Sequence, residues 1–113
     1  MTRETVNAIC ARLPGAEVSD PWGDGHDAWK VGGKMFAVVG AKNLGLSVKT
    51  ASPEDAQLLI DMGKAVKAPY FHASWVLVPW DMATPEDLAH RIRTSYDLIV
   101  SKLPKKTRVA LEP

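Results

Sequence analysis

A chain of 113 residues with 46% hydrophobic and 24% charged residues has the size and balance of one globular domain, and it leaves no room for a second domain or for disorder. The net charge of +1 and a pI of about 7.9 lie below the level of ~9 that marks most nucleic-acid-binding domains. One cysteine, Cys10, excludes an internal disulfide and a paired CxxC site, and no apolar run approaches the ~20 residues that span a bilayer.

The elements follow in chain order. Thr2 is placed to cap a first helix whose Val6, Ile9, Cys10 and Leu13 share one buried face, and Pro14-Gly15 stops it. Residues 16–27 read as loop, with a short strand at Ala16–Val18. Ala28–Val31 and Lys34–Val39 flank Gly32-Gly33, the pair that a two-residue hairpin turn wants. In that hairpin Trp29 is expected to stand across from Phe36. A third strand follows, with Leu44, Leu46, Val48 and Thr50 on a buried face and Gly45, Ser47 and Lys49 on a wet one.

Ser52-Pro53-Glu54-Asp55 opens a second helix, with a capping hydroxyl, proline in the first turn and acids at the positive end of the dipole. Its inward residues are Ala56, Leu59, Ile60 and Gly63. Residues 64–74 form an eleven-residue connection, and loops of that length inside small domains are more often functional than short ones. Trp75–Trp80 is an interior strand that Pro79 ends. Thr84-Pro85-Glu86-Asp87 repeats the capping chemistry and starts a long helix with Leu88, Ala89, Ile92, Tyr96, Ile99 and Leu103 inward. Pro104 closes it and the remaining residues read as a tail. Strands outnumber crossovers, which predicts an α+β single domain over 1–113. Its antiparallel sheet has about four to five strands with helices packed on one side, in the order α-β-β-β-α-β-α.

Charge is distributed unevenly. Residues 1–27 hold two arginines against five acids, whereas residues 28–50 hold Lys30, Lys34, Lys42 and Lys49 and no acid at all. The tail adds Lys102, Lys105, Lys106 and Arg108. Lysine-bearing hairpins and a basic tail suit phosphate contact, and they equally suit solvated strands protected against edge pairing.

Other chemistry is sparse. Asp24-Gly25-His26-Asp27 offers three metal-ligand types in four residues but matches no spaced motif, so a hydrogen-bonded turn is expected and no metal. His72 and Ser74 share the long loop with Tyr70, yet no nucleophile elbow accompanies them, so no catalytic residue is assigned. Cys10 packs in the first helix, His90 belongs to a solvated face, and Trp22 and Trp80 are assigned to burial rather than to a pocket. No glycine-rich phosphate loop is present and no cofactor is expected.

Taken together, LPGAE (13–17), Pro21-Trp22-Gly23, WKVGGKMFA (29–37), LSVKT (46–50) with the SPEDAQLL helix start, APYFHASWV (68–76) and SYDLIVSKLPKK (95–106) resemble the MmcQ/YjbR family of small bacterial proteins over nearly the whole chain. The resemblance implies a frataxin-like α+β fold with double-wing hairpins, and a DNA-binding role that rests on fold analogy. It makes the Gly32-Gly33 and Lys42-Asn43 turns the wings. A DNA-binding module would then contact phosphates through Lys30, Lys34, Lys42, Lys49, Lys105, Lys106 and Arg108. The alternative is a non-enzymatic domain for a small ligand or protein partner, using the 64–74 loop, Tyr70, His72 and Trp75 against the sheet. A cytoplasmic monomer without membrane contact is expected in either case.

Overall fold

The computed structural model describes residues 2–111, which form four helices and a single six-stranded sheet. Thr2 accepts a hydrogen bond from the Thr5 N–H and opens α1 (Arg3–Cys10), whose Val6 and Cys10 are fully buried. β1 (Glu17–Ser19), β2 (Asp27–Val31), β3 (Lys34–Val39) and β4 (Gly45–Lys49) follow as an antiparallel run. Beyond them come α2 (Pro53–Asp61), β5 (Val66–Lys67), β6 (Trp75–Pro79), a 3₁₀ turn at Trp80–Met82, α3 (Pro85–Ser101) and α4 (Lys105–Leu111). The strand order is β1-β2-β3-β4-β6-β5 and every neighbouring pair is antiparallel. The two outer strands are only three and two residues long, which blunts both edges.

The α+β class and the antiparallel sheet are those the sequence predicts; the strand count is higher because the 64–74 connection supplies β5 as a short edge. Ser52 and Thr84 cap α2 and α3 as their spacing requires, with a full capping box between Thr84 and Asp87. Trp80 falls outside β6, in the 3₁₀ turn, where its indole N–H donates to the Asn43 carbonyl at 2.7 Å. Leu44 precedes β4 and is exposed, so the buried face of that strand begins at Leu46.

The main core lies between one face of the sheet and the helices. Leu88, Ile92, Tyr96 and Ile99 of α3 and Val6 and Cys10 of α1 pack on Trp29, Val31, Phe36, Val39, Leu46, Val48, Val76 and Val78. The opposite face, expected to be wet along β4, is also covered. Ala28, Val38 and Trp75 pack there with Ala68 and with partly buried Met35, Phe71 and Leu77. Ser47 stands between Val38 and Leu77 in register and is only 8% exposed. The segment leading into β6 supplies this second cover, which periodicity along β4 alone does not reveal.

One irregularity organises the sheet. Trp29 pairs with Ala37 and Lys30 with Met35, so Phe36 is an extra residue in β3 and does not face Trp29 as the hairpin predicts. The bulge turns both Phe36 and Ala37 toward the helices. It also ends the β3–β4 ladder at Ala37–Val48, although β3 itself begins three residues earlier. The next ladder bond is replaced: the Ser95 hydroxyl of α3 accepts from the Lys49 N–H at 2.9 Å and donates to the Phe36 carbonyl at 2.6 Å.

Past Ser95, α3 runs to the Gly32-Gly33 turn. Both glycines have positive φ, +58° and +81°, as a primed hairpin turn requires. A Cβ on Gly32 would lie 2.7 Å from the Leu103 side chain, so the hairpin turn and the turn that follows α3 are in direct contact. The residues expected to trail off as a tail instead form α4, and Leu111 packs against Gly15 and the core.

Candidate functional site

Where β3 loses β4 as a partner, a cavity of about 390 Å³ opens. Lys34 and Met35 come from the start of β3, which pairs with β2 but not with β4, Lys49 from the end of β4, and Trp75 from the start of β6. Phe71 comes from the loop before β6, Ile99 from the end of α3, and Lys102 and Leu103 from the turn that follows it. Phe71 and Trp75 stack with ring centroids 4.7 Å apart and planes 23° from parallel. The walls are therefore apolar and partly aromatic, and three lysines stand on them with no Asp or Glu in the lining.

Lys49 is the most constrained of the three. Its Nζ donates to the Ser74 Oγ at 2.8 Å, and the Ser74 Oγ lies 2.9 Å from His72 Nδ1. The Ser74 backbone N–H also donates to His72 Nδ1, at 3.1 Å, which makes that ring nitrogen the acceptor and sets the direction Lys49 to Ser74 to His72. The Ser74 carbonyl accepts from both the Thr50 N–H and the Thr50 hydroxyl at 2.7 Å, tying the loop to the end of β4. Burial holds the Lys49 ammonium below the usual lysine range, and the neighbouring Lys102 charge pushes the same way. Ser74 is buried and off the cavity wall, so it orients Lys49 rather than meeting a ligand.

The residues named from the sequence divide into groups. Lys34, Lys49 and Trp75 meet in the cavity. His72 reaches it only through Ser74. Tyr70 is fully exposed at the tip of the same loop, with φ +70°, a strained value for an aromatic residue. Lys30 stands across from Glu17 in the β1–β2 register. Lys42 lies in the turn after β3, at the other end of that six-residue strand and so roughly 20 Å along it from Lys34. The two wing turns thus point to opposite ends of the sheet. Lys105, Lys106 and Arg108 are exposed on α4. The ion pairs among the described residues involve Arg3 with Asp27, His26 with Asp20 and Asp24, and Arg93 with Asp97, and none uses these lysines.

Lys102, Phe71 and Met35 were not singled out by sequence. Lys102 was readable only as part of a basic tail and Phe71 only as a neighbour of Tyr70; the fold alone brings them to Lys49.

Other polar groupings are accounted for locally. Asp20, Asp24 and His26 hold potential ligand atoms within 4.8 Å of one another. The Asp20 carboxylate accepts from the N–H groups of Gly23, Gly25 and His26, which holds it below the usual carboxylate range, and Asp24 lies 2.5 Å from His26 Nδ1. Trp22, assigned to burial by sequence, is half exposed and tilts onto the His26 ring at 4.6 Å. His90 lines a second cavity of about 240 Å³ between α2 and α3, with Leu59, Met62, Asp87 and Arg91. Among the described residues no helix is long and apolar enough to cross a membrane.

The fold recurs in a solved structure. The Deinococcus radiodurans protein DR2400, which carries the domain designated DUF419, superposes with a TM-score of 0.86 at 26% identity, over 97% of this chain and 87% of that one. No curated protein matches the sequence. The YjbR family model matches residues 11–98, a span that holds the meander, the bulge, the 64–74 connection and most of α3, and the chain therefore belongs to the YjbR family.

Proposed function

We propose that this chain is a binding domain for a small anion with a flat apolar body, taken up in the cavity between the end of α3 and the Phe71–Trp75 stack. The observation that carries this reading is the company of Lys34, Lys49 and Lys102 on one apolar wall without a carboxylate. A few charged groups fixed on a mainly apolar concavity is the usual composition of a small-ligand site. Like charges brought together at the edge of a low-dielectric space repel, and a bound anion relieves that repulsion. The stacked rings offer a face to a planar group.

The DNA-binding reading requires phosphates to be met at lysines far apart. Lys42 and Lys34 stand at opposite ends of β3, a separation comparable to the width of a duplex, so a duplex meeting both wings would have to lie along that strand.

Amide chemical-shift titration of the full chain with phenyl phosphate, inorganic phosphate and phenol tests the proposal. Phenyl phosphate is expected to bind saturably and most tightly, with shifts concentrated at Met35, Lys49, Phe71 and Trp75. Lys102→Ala and Lys34→Ala are each expected to weaken it about tenfold, the loss of one charge-assisted contact. The proposal fails if phenyl phosphate produces no saturable shifts there. It fails equally if duplex DNA shifts those residues, with steep salt dependence, and phenyl phosphate does not.

A further inference from the structure

We infer that Lys49 is a nucleophile toward carbonyl compounds, capturing a small oxo acid whose carboxylate is held by Lys34 and Lys102 in the same cavity. This deepens the anion-binding reading and rests on it. Four observations lead here. Lys49 lines a half-open, mainly apolar cavity. Its position is fixed by the Ser74 hydroxyl at 2.8 Å. The charged side chains sharing the lining, Lys34 from β3 and Lys102 from the turn after α3, are both cations, so no carboxylate there stabilises a third ammonium. Burial and the Lys102 charge both favour the neutral amine. A lysine made more neutral by an apolar surrounding and a neighbouring cation is the arrangement that activates amines for imine formation.

The step balances without any oxidant or reductant. The Lys49 ammonium first gives up one proton. A path for it exists through the Ser74 Oγ, which takes a proton from Nζ as it passes its own to His72 Nδ1, and exposed His72 returns it to water. The neutral amine attacks the carbonyl carbon, and the carbonyl oxygen takes a proton to give a carbinolamine. The C–O bond then breaks, and that oxygen leaves as water with the two hydrogens the amine carried. A C=N bond to Lys49 remains. Ser74 and His72 are positioning residues here, since neither lines the cavity.

The experiment treats the full chain with pyruvate and cyanoborohydride, which reduces imines but not ketones, and locates the secondary amine by peptide mass mapping. Lys49 is expected to be modified about tenfold faster than the other lysines, and inorganic phosphate is expected to slow it. Lys49→Arg, which keeps the charge, should abolish labelling at that position and leave the other lysines unchanged. Ser74→Ala, with Lys49 intact, should lower the rate by removing the contact that places Nζ, and it should shift the pH profile downward because the lost hydroxyl accepts from the ammonium. Labelling spread evenly over the lysines, or absent from Lys49, overturns the inference. A parallel shift titration with pyruvate separates the two readings. Shifts confined to the cavity without reduction at Lys49 leave anion binding standing and remove the nucleophile, and the absence of pyruvate shifts likewise removes the nucleophile while the anion-binding reading is decided by phenyl phosphate.

Discussion

The Ser95 hydroxyl donates to the Phe36 carbonyl at 2.6 Å across 59 positions of sequence, and it takes its own hydrogen bond from the Lys49 N–H. A helix side chain thus closes a gap in a sheet ladder that the bulge at Phe36 opens. The same gap frees Lys34 and Met35 from β4 and makes room for the cavity. One buried hydroxyl thus joins α3 to the sheet at the edge of the site.

Replacing Ser95 by Ala leaves both a carbonyl and an N–H without their partner in a buried place. Removing such a partner costs about 1–3 kcal/mol, and urea denaturation should show a lower midpoint with an unchanged slope. Because the ladder end moves, amide shifts of Phe36 and Lys49 should move most. A loss within experimental error would mean that the strands close the gap by themselves.

Lys49 makes stability depend on pH in a definable direction. Its proton affinity in the folded chain is lowered, first by burial and then by Lys102, while in the unfolded chain it returns to the ordinary lysine value. Between those two values the unfolded state binds more protons, so stability from this group rises as pH rises through that window. Wild type should therefore gain on Lys49→Met in denaturation experiments taken from neutral pH to about pH 10. A difference that stays flat or moves the other way contradicts this account of Lys49.

Gly32 and Gly33 separate conformational strain from crowding. Both have positive φ, but a Cβ at Gly32 would press on Leu103 and one at Gly33 would meet nothing within 4 Å. Gly33→Ala should cost about 1 kcal/mol from backbone strain alone. Gly32→Ala should cost roughly 1–3 kcal/mol more as Leu103 is displaced. Equal losses in thermal unfolding would show that α3 yields freely at this end.

Cys10 is fully buried, and burial pushes its thiol up to about 12. An aromatic disulfide reagent should release no chromophore from the native chain at neutral pH, and one equivalent after denaturation. Rapid reaction under native conditions would mean that α1 leaves the core readily.

How far the sequence determines this molecule follows the range of the interactions involved. Ser52-Pro53 and Thr84-Pro85 declare their helices because a cap is satisfied within three residues, and Gly32-Gly33 declares its turn because φ is a property of the residue itself. Hydrophobic periodicity likewise places Val6 and Cys10, and Ile92, Tyr96 and Ile99, on their buried faces. The six-strand count, the second buried face and the docking of α4 escape that reading. β5, Ala68 and Leu111 are ordered by partners distant in the chain rather than by their neighbours in sequence. The gap beside Phe36 is bridged by Ser95, and the cavity needs Lys34, Lys49, Phe71 and Lys102 carried together by two strands, the loop before β6 and the turn after α3. Only the folded chain joins these charges, because each belongs to a different element and none is near another in sequence.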